Sequence, residues 1–202
     1  VFDPVLCELS YSWYCPPAGH VLDPFAGGSV RGIVAAMLGR AYTGIDLRPE
    51  QVAANEEQAA RICNGTRPRW LVGDSRGLAA MDVAPADFVF SCPPYGDLER
   101  YSDDPRDLSA MAHPDFESAH YEIIRAACNL LRADRFACFT VGDFRDKAGL
   151  YRNFVGLTVE CFKLAGAALY NEAILVTAVG SLPIRVGKQF AGYRKLGRRS
   201  RC

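Results

Sequence analysis

Four short segments carry side chains whose types and spacing could do chemistry. The first, Asp23-Pro24-Phe25-Ala26-Gly27-Gly28-Ser29, is a glycine turn that lets backbone come close to a ligand before a helix begins. The second ends in Gly44-Ile45-Asp46, and Asp46 stands 23 residues after Asp23. An acid at that place, at the end of a strand, can accept hydrogen bonds from both ribose hydroxyls of a nucleoside. The third is Gly73-Asp74-Ser75, and the fourth is Ser91-Cys92-Pro93-Pro94-Tyr95, where Pro-Pro blocks continuation of a strand and pushes Tyr95 outwards. Each segment alone is common in α/β proteins; their order and spacing together are the signal.

Other chemistries fit poorly. A dinucleotide-binding domain wants GxGxxG, and Gly27, Gly28 and Gly32 do not have that spacing. The histidines lie far apart at 20, 113 and 120, and the eight cysteines form no CxxC pair, so no metal site is expected. Several cysteines sit in apolar runs such as Arg135–Val141 and read as small buried hydrophobes in a reducing, cytoplasmic compartment.

For these segments to share one site, they must end neighbouring strands. Apolar stretches predict strands at His20–Leu22, Ala41–Ile45, Trp70–Val72, Asp87–Phe90, Arg135–Val141 and Leu169–Ala178. Between them, helical spacing predicts helices at Arg31–Leu38, Pro49–Cys63, Asp115–Leu131 and Tyr151–Leu164. Alternation of this kind is the βαβ pattern of a mostly parallel sheet covered on both faces, with ligands beyond the carboxyl ends of the strands. The segment Gly96–His113 is long, irregular and net acidic, as lids and binding loops tend to be.

With 202 residues, half of them hydrophobic, 23% charged, and 23 basic against 23 acidic residues, the composition is that of a soluble globular enzyme. No run reaches the roughly 18–20 apolar residues of a membrane span. The expected organisation is a catalytic domain over residues 1–184 and a basic tail over 185–202. That tail holds Arg185, Lys188, Arg194, Lys195, Arg198, Arg199 and Arg201 and no acid, so it could follow a phosphate backbone or stand as a solvated terminus.

From Phe2 to about Arg194 the chain resembles the amino-directed DNA methyltransferases, which make N6-methyladenine and N4-methylcytosine. The resemblance implies an α/β, Rossmann-like methyltransferase fold, S-adenosyl-L-methionine as cofactor and DNA as partner. It implies that Asp23 and the backbone of Phe25, Ala26, Gly27 and Gly28 hold the methionine part of the cofactor. Asp46 would take the ribose, and Asp74 with Ser75 would meet the adenine ring. The opening stretch from Phe2 to Pro17 is similar to the family's helix that closes over the methionine moiety.

The family's catalytic motif is Asp, Asn or Ser followed by Pro-Pro and an aromatic residue, and Ser91-Cys92-Pro93-Pro94-Tyr95 lies in its place. The amino lone pair of adenine or cytosine is delocalised into the ring. A polar side chain and the carbonyl of the first proline would accept the two amino hydrogens and turn the lone pair towards the sulfonium methyl. Tyr95 would stack on a base flipped out of the duplex. The departure is Cys92, a weak acceptor, directly before Pro93. Neighbouring strand residues face opposite ways, so three readings stand: Ser91 is swung in by a bulge, Cys92 suffices beside the proline carbonyl, or transfer is slow or absent. A cysteine nucleophile of the cytosine-C5 kind is disfavoured, because that family's cysteine follows the prolines.

About seventeen residues separate Asp74 from Ser91, too few for a target-recognition domain, so recognition is expected from a separate domain or subunit. After Leu169–Ala178 no second apolar strand follows, which leaves the family's closing hairpin without its final strand. An open sheet edge would invite pairing with another chain, a second copy included. Val at position 1 suggests a fragment of something longer.

Overall fold

The computed structural model describes residues 2–146 and 148–176. Helix α1 (Pro4–Tyr14) starts where Asp3 accepts a hydrogen bond from the Val5 amide at 2.8 Å and Pro4 occupies the first turn. Strand β1 (His20–Asp23) leads through the glycine turn into α2 (Val30–Met37), followed by β2 (Ala41–Asp46), α3 (Pro49–Ile62) and β3 (Arg69–Val72). Then come β4 (Ala86–Ser91), α4 (His113–Leu130), β5 (Leu131–Phe139) and α5 (Phe154–Leu164). The strands pair in the order β3-β2-β1-β4-β5, every pair parallel.

That order reverses at β1, whose neighbours are β2 on one side and β4 on the other. A crevice therefore opens at the carboxyl ends of β1 and β4, where Asp23 and Ser91 stand. On one face of the sheet, Cys7 and Tyr11 of α1, Ile33 of α2 and Val52 of α3 pack over Val21, Phe88 and Phe90. On the other, Ala127 of α4 packs with Leu22, Ile45 and Val89. Gly32 is required for the first layer, because a Cβ there would stand 2.6 Å from the Trp70 ring. A third cluster joins Phe116 and Ile123 of α4 to Phe154 of α5, Leu108 and Phe144.

The predicted elements are present with shifted ends, except the strand expected at Leu169–Ala178. Helix α1 packs on the sheet: Tyr11 is buried, its hydroxyl donates to the Arg31 carbonyl at 2.8 Å, and its ring meets Phe88 and Phe90 edge-on. The helix expected to close over a ligand is thus a structural layer, and only Phe2 of that opening stretch lines the cavity described below. Strand β5 starts four residues earlier than expected, at Leu131, because residues 132–135 loop out as an irregularity in the β4 pairing and Arg132 and Arg135 reach Asp87.

The strand expected at Leu169–Ala178 is not formed through Val176, and Thr177 and Ala178 lie outside the described residues. Its apolar side chains, among them Ile174 and Val176, are exposed, and Asn171-Glu172 interrupts the run. A strand forms only within a ladder, and the sheet β3-β2-β1-β4-β5 does not extend to residues 169–176. The basic tail also lies outside them. The described residues divide into one unit of residues 2–144 and 151–169 and a second of residues 145–146, 148–150 and 170–176. The second contains a tight loop in which Asp146 accepts from the Leu150 amide and Arg145 donates to the Gly149 carbonyl. No helix among the described residues is long and apolar enough to cross a membrane.

Candidate functional site

A cavity of about 770 Å³ lies at the carboxyl ends of the first four strands. All four segments singled out in the sequence reach it, but not through all the residues expected. Phe25, Gly27, Gly28, Asp46, Asp74 and Ser75 line it, as do Cys92, Pro93, Pro94 and Tyr95. Asp23, Ala26 and Ser91 do not.

Asp23 is fully buried with its carboxylate enclosed. Oδ1 accepts from the Ser91 hydroxyl at 2.5 Å and the Phe25 amide at 3.2 Å, while Oδ2 accepts from Tyr42 at 2.7 Å and Arg31 Nε at 2.6 Å. Ser91 is also fully buried, and its oxygen accepts from the Phe25 amide at 3.1 Å. These bonds tie the ends of β1 and β4 together and shape the glycine turn. Direct contact of Asp23 with a ligand, and presentation of Ser91 to a base through a bulge, are both incompatible with this burial. Ala26 is likewise buried, its amide bound to the Ile45 carbonyl.

Gly27 has φ +48°, a conformation that suits glycine, and a Cβ at Gly27 or Gly28 would meet no atom within 4 Å. The turn therefore leaves open space above its backbone. Its position is set by two side chains. Asp46 accepts the Gly27 amide at 3.0 Å, and Asn55 of α3, almost fully buried, donates to the Gly27 carbonyl at 2.7 Å. Asp46 also accepts the Arg48 amide at 2.9 Å and has Arg48 Nε at 3.4 Å. Asp46 Oδ2 keeps a second lone pair for a ribose hydroxyl, while Oδ1 already faces both the Arg48 amide and Arg48 Nε. Burial raises its carboxyl above the ordinary value, against the pull of the Arg48 and Gly27 bonds.

Asp74 caps the short 3₁₀ helix Ser75–Ala80 and is bridged to Arg76 at 2.6 Å. Burial works to raise its carboxyl, but the Arg76 hydrogen bonds outweigh it and hold the group below the usual range. Ser75 is buried and donates to the Pro24 carbonyl at 2.6 Å, which makes it a tie between strand ends as well as part of the wall.

After Ser91 the chain turns, and Cys92 faces the cavity. Burial raises its thiol above the usual range and raises the Tyr95 hydroxyl to about 12, so both are neutral at pH 7. Tyr95 packs edge-on against Phe144 and Phe154, at 6.3 and 5.8 Å between ring centres, and also lines the cavity.

The loop after Tyr95 forms one wall. Asp107, buried, accepts from the Ser109 amide, the Ser109 hydroxyl and the Ser102 hydroxyl at 2.9, 2.7 and 2.7 Å, and the Tyr101 amide in turn donates to Ser109 at 3.0 Å. Tyr101 lies against the Arg48 guanidinium, 5.9 Å from ring centre to Cζ. Sequence reading missed Arg31, Arg48, Asn55 and Tyr101 as cavity residues. A signal existed for the α3 wall, where Gln51, Asn55 and Gln58 repeat at helical spacing. Among the described residues no group of acids, histidines and cysteines could hold a metal.

No protein-family model matches the sequence, and no curated protein does. Solved structures do match in fold. TrmN from Thermus thermophilus is 20% identical with a TM-score of 0.53 over 68% of this chain, which spans 38% of that one. Magnesium protoporphyrin IX methyltransferase from Synechocystis PCC 6803, solved with bound SAM, is 14% identical, TM-score 0.57, covering 87% and 74% of the two chains. The [4+2]-cyclase SpnF is 15% identical, TM-score 0.56, covering 80% and 57%. The chain thus has the Rossmann-like methyltransferase fold. A fold shared by methyltransferases and a cyclase does not name a reaction, so function must be argued from the site.

Proposed function

We propose that this chain binds S-adenosyl-L-methionine and transfers its methyl group to the exocyclic amino group of a base flipped out of DNA, with adenine N6 as the acceptor. One observation carries this reading: the glycine turn, the Asp46 carboxylate and the Cys92–Tyr95 segment line one continuous cavity. Its volume is within the roughly 300–1,000 Å³ of small-molecule sites. The residues fit the cofactor, since Asp46 Oδ2 keeps a lone pair for a ribose hydroxyl and the space above Gly27 and Gly28 is open. When bound, S-adenosyl-L-methionine supplies an electrophilic methyl on a sulfonium and leaves as a neutral thioether.

The chain's own work is positional. Cys92 and the Pro93 carbonyl accept the two amino hydrogens and aim the nitrogen lone pair, while the Tyr95 ring supports the base face by stacking, on the order of 1–3 kcal/mol. Duplex DNA would meet the basic residues beyond Arg185, and target choice would fall to a separate recognition domain or subunit. Incubating the chain with cofactor and DNA, then digesting to nucleosides and identifying the modified base by mass, tests the reading. N6-methyladenine is the expected product; N4-methylcytosine would move the acceptor, and no transfer to any DNA would end both.

Cys92 favours a second reading, a binding module of this fold that holds the cofactor or DNA without transfer, because a neutral thiol polarises an amino group weakly. Tight cofactor binding by calorimetry with no turnover on phage, bacterial or synthetic DNA would establish it.

A further inference from the structure

Asp23, the acid expected to meet the methionine moiety, is enclosed on both oxygens. The charged group that remains at this corner of the cavity is its partner, Arg31, in the first turn of α2. Arg31 is 5% exposed. Its Nε donates to Asp23 at 2.6 Å, and Nη2 donates to the Phe25 and Ala26 carbonyls at 2.6 and 2.9 Å. Phe2 lies over the guanidinium at 4.7 Å from the ring centre. Two of the three nitrogens and one face are therefore occupied, and Nη1 has no hydrogen-bond partner among the described residues.

A buried guanidinium with one donor nitrogen left at a cavity wall is prepared for a planar anion. Gly28, Ser29 and Val30 line the same wall, and the first amides of α2 have no acceptor within the helix, so the field there also favours negative charge. Asp23 offsets the guanidinium's charge, so what this wall offers a ligand is the Nη1 donor together with the first amides of α2. Resting on the proposed cofactor, we infer that Arg31 Nη1 donates to the α-carboxylate of the methionine moiety, with Asp23 acting as the positioning residue that holds the guanidinium in place. A ligand anchored by its ribose at Asp46 and its carboxylate at Arg31 would span the glycine turn in the cavity that Cys92 also lines.

The test is calorimetric and needs no turnover. S-adenosylhomocysteine and its decarboxylated analogue are titrated into the intact chain and into Arg31→Lys, which keeps a cation for Asp23. The unaltered chain should bind the carboxylate form roughly 10–100-fold more tightly, as expected for a lost charge-assisted hydrogen bond. In Arg31→Lys that preference should shrink towards one while affinity for the decarboxylated form changes little. Equal affinity of both ligands for the unaltered chain, or an undiminished preference in a folded Arg31→Lys, overturns the assignment of Arg31 but leaves the cofactor reading standing. Binding of neither ligand overturns the cofactor reading itself. Should Arg31→Lys fail to fold, nitrogen-15 spectra of the unaltered chain decide: the Arg31 guanidinium signals must shift with S-adenosylhomocysteine and not with its decarboxylated form.

Discussion

The Ser91 hydroxyl donates to Asp23 Oδ1 at 2.5 Å, joining the carboxyl ends of β4 and β1 across the point where the strand order reverses. This bond takes Ser91 out of the cavity, leaves Cys92 as the residue before Pro93 that lines it, and helps enclose the carboxylate that orients Arg31. Ser91→Ala should therefore act on stability, lowering it by roughly 1.5–3 kcal/mol for a lost buried bond to a charged group. Urea unfolding measures the loss, and an unchanged midpoint would contradict the structural role of Ser91.

Asp46→Ala removes the acceptor proposed for the ribose and the anchor of the Gly27 and Arg48 amides. Cofactor affinity should fall by about 10–100-fold or more, since each charge-assisted hydrogen bond contributes roughly 1.5–3 kcal/mol. DNA affinity should change far less. Calorimetry with cofactor and fluorescence anisotropy with DNA separate the two, and an equal loss on both would point to misfolding or a wrong assignment.

At the transfer end, Cys92→Asn or Cys92→Asp should preserve or raise the methylation rate by supplying a stronger acceptor. Tyr95→Ala should harm it, while Tyr95→Phe should retain most activity because the ring face makes the proposed contact. Tyr95 also packs against Phe144 and Phe154, so melting temperatures must accompany the rates. Full activity in a folded Tyr95→Ala would remove the base from this position.

His120 gives a prediction about pH. It is fully buried, stacked on Phe116 at 5.8 Å and Phe25 at 6.1 Å, with Nε2 3.1 Å from the Thr158 hydroxyl. Because the Thr158 hydroxyl donates to the Phe154 carbonyl, the His120 ring must donate, which leaves Nδ1 without a hydrogen. Burial lowers its pKa from 6.5 to about 4. The neutral form is favoured in the fold, so the unfolded chain takes up the proton first as pH falls. The stability contribution is complete above about pH 6.5 and is lost progressively down to about pH 4, a total of about 3 kcal/mol. His120→Phe should flatten the dependence of urea midpoint on pH within that window, and a slope unchanged by the substitution would assign it to other groups.

Removal of the residues from Arg185 onwards should weaken DNA binding and reduce its salt dependence while cofactor affinity stays nearly constant. A salt slope that does not move would make the tail a bystander.

The places where chemistry could occur were legible in the sequence because they are written locally. A strand's apolar run, the turn at Gly27-Gly28, the acid of Asp46 and the break at Pro93-Pro94 are each set within a few residues, and the alternation of strands and helices puts their ends on one side of a parallel sheet. Even the conflict between Ser91 and Cys92 was visible, since adjacent strand residues face opposite ways. Which of the two faces the cavity was settled by Asp23, 68 residues away in sequence, and by the Phe25 amide between them. The same long-range packing changed Asp23 from a candidate ligand contact into a buried counter-ion, brought Arg31 to the cavity, and used α1 as a layer of the core. A carboxylate accepts whatever donors the fold brings to it, and the donors to Asp23 come from the start of β2, the end of β4, the glycine turn and α2. Only the assembled sheet could decide which charged group meets a ligand and which is consumed in holding it there.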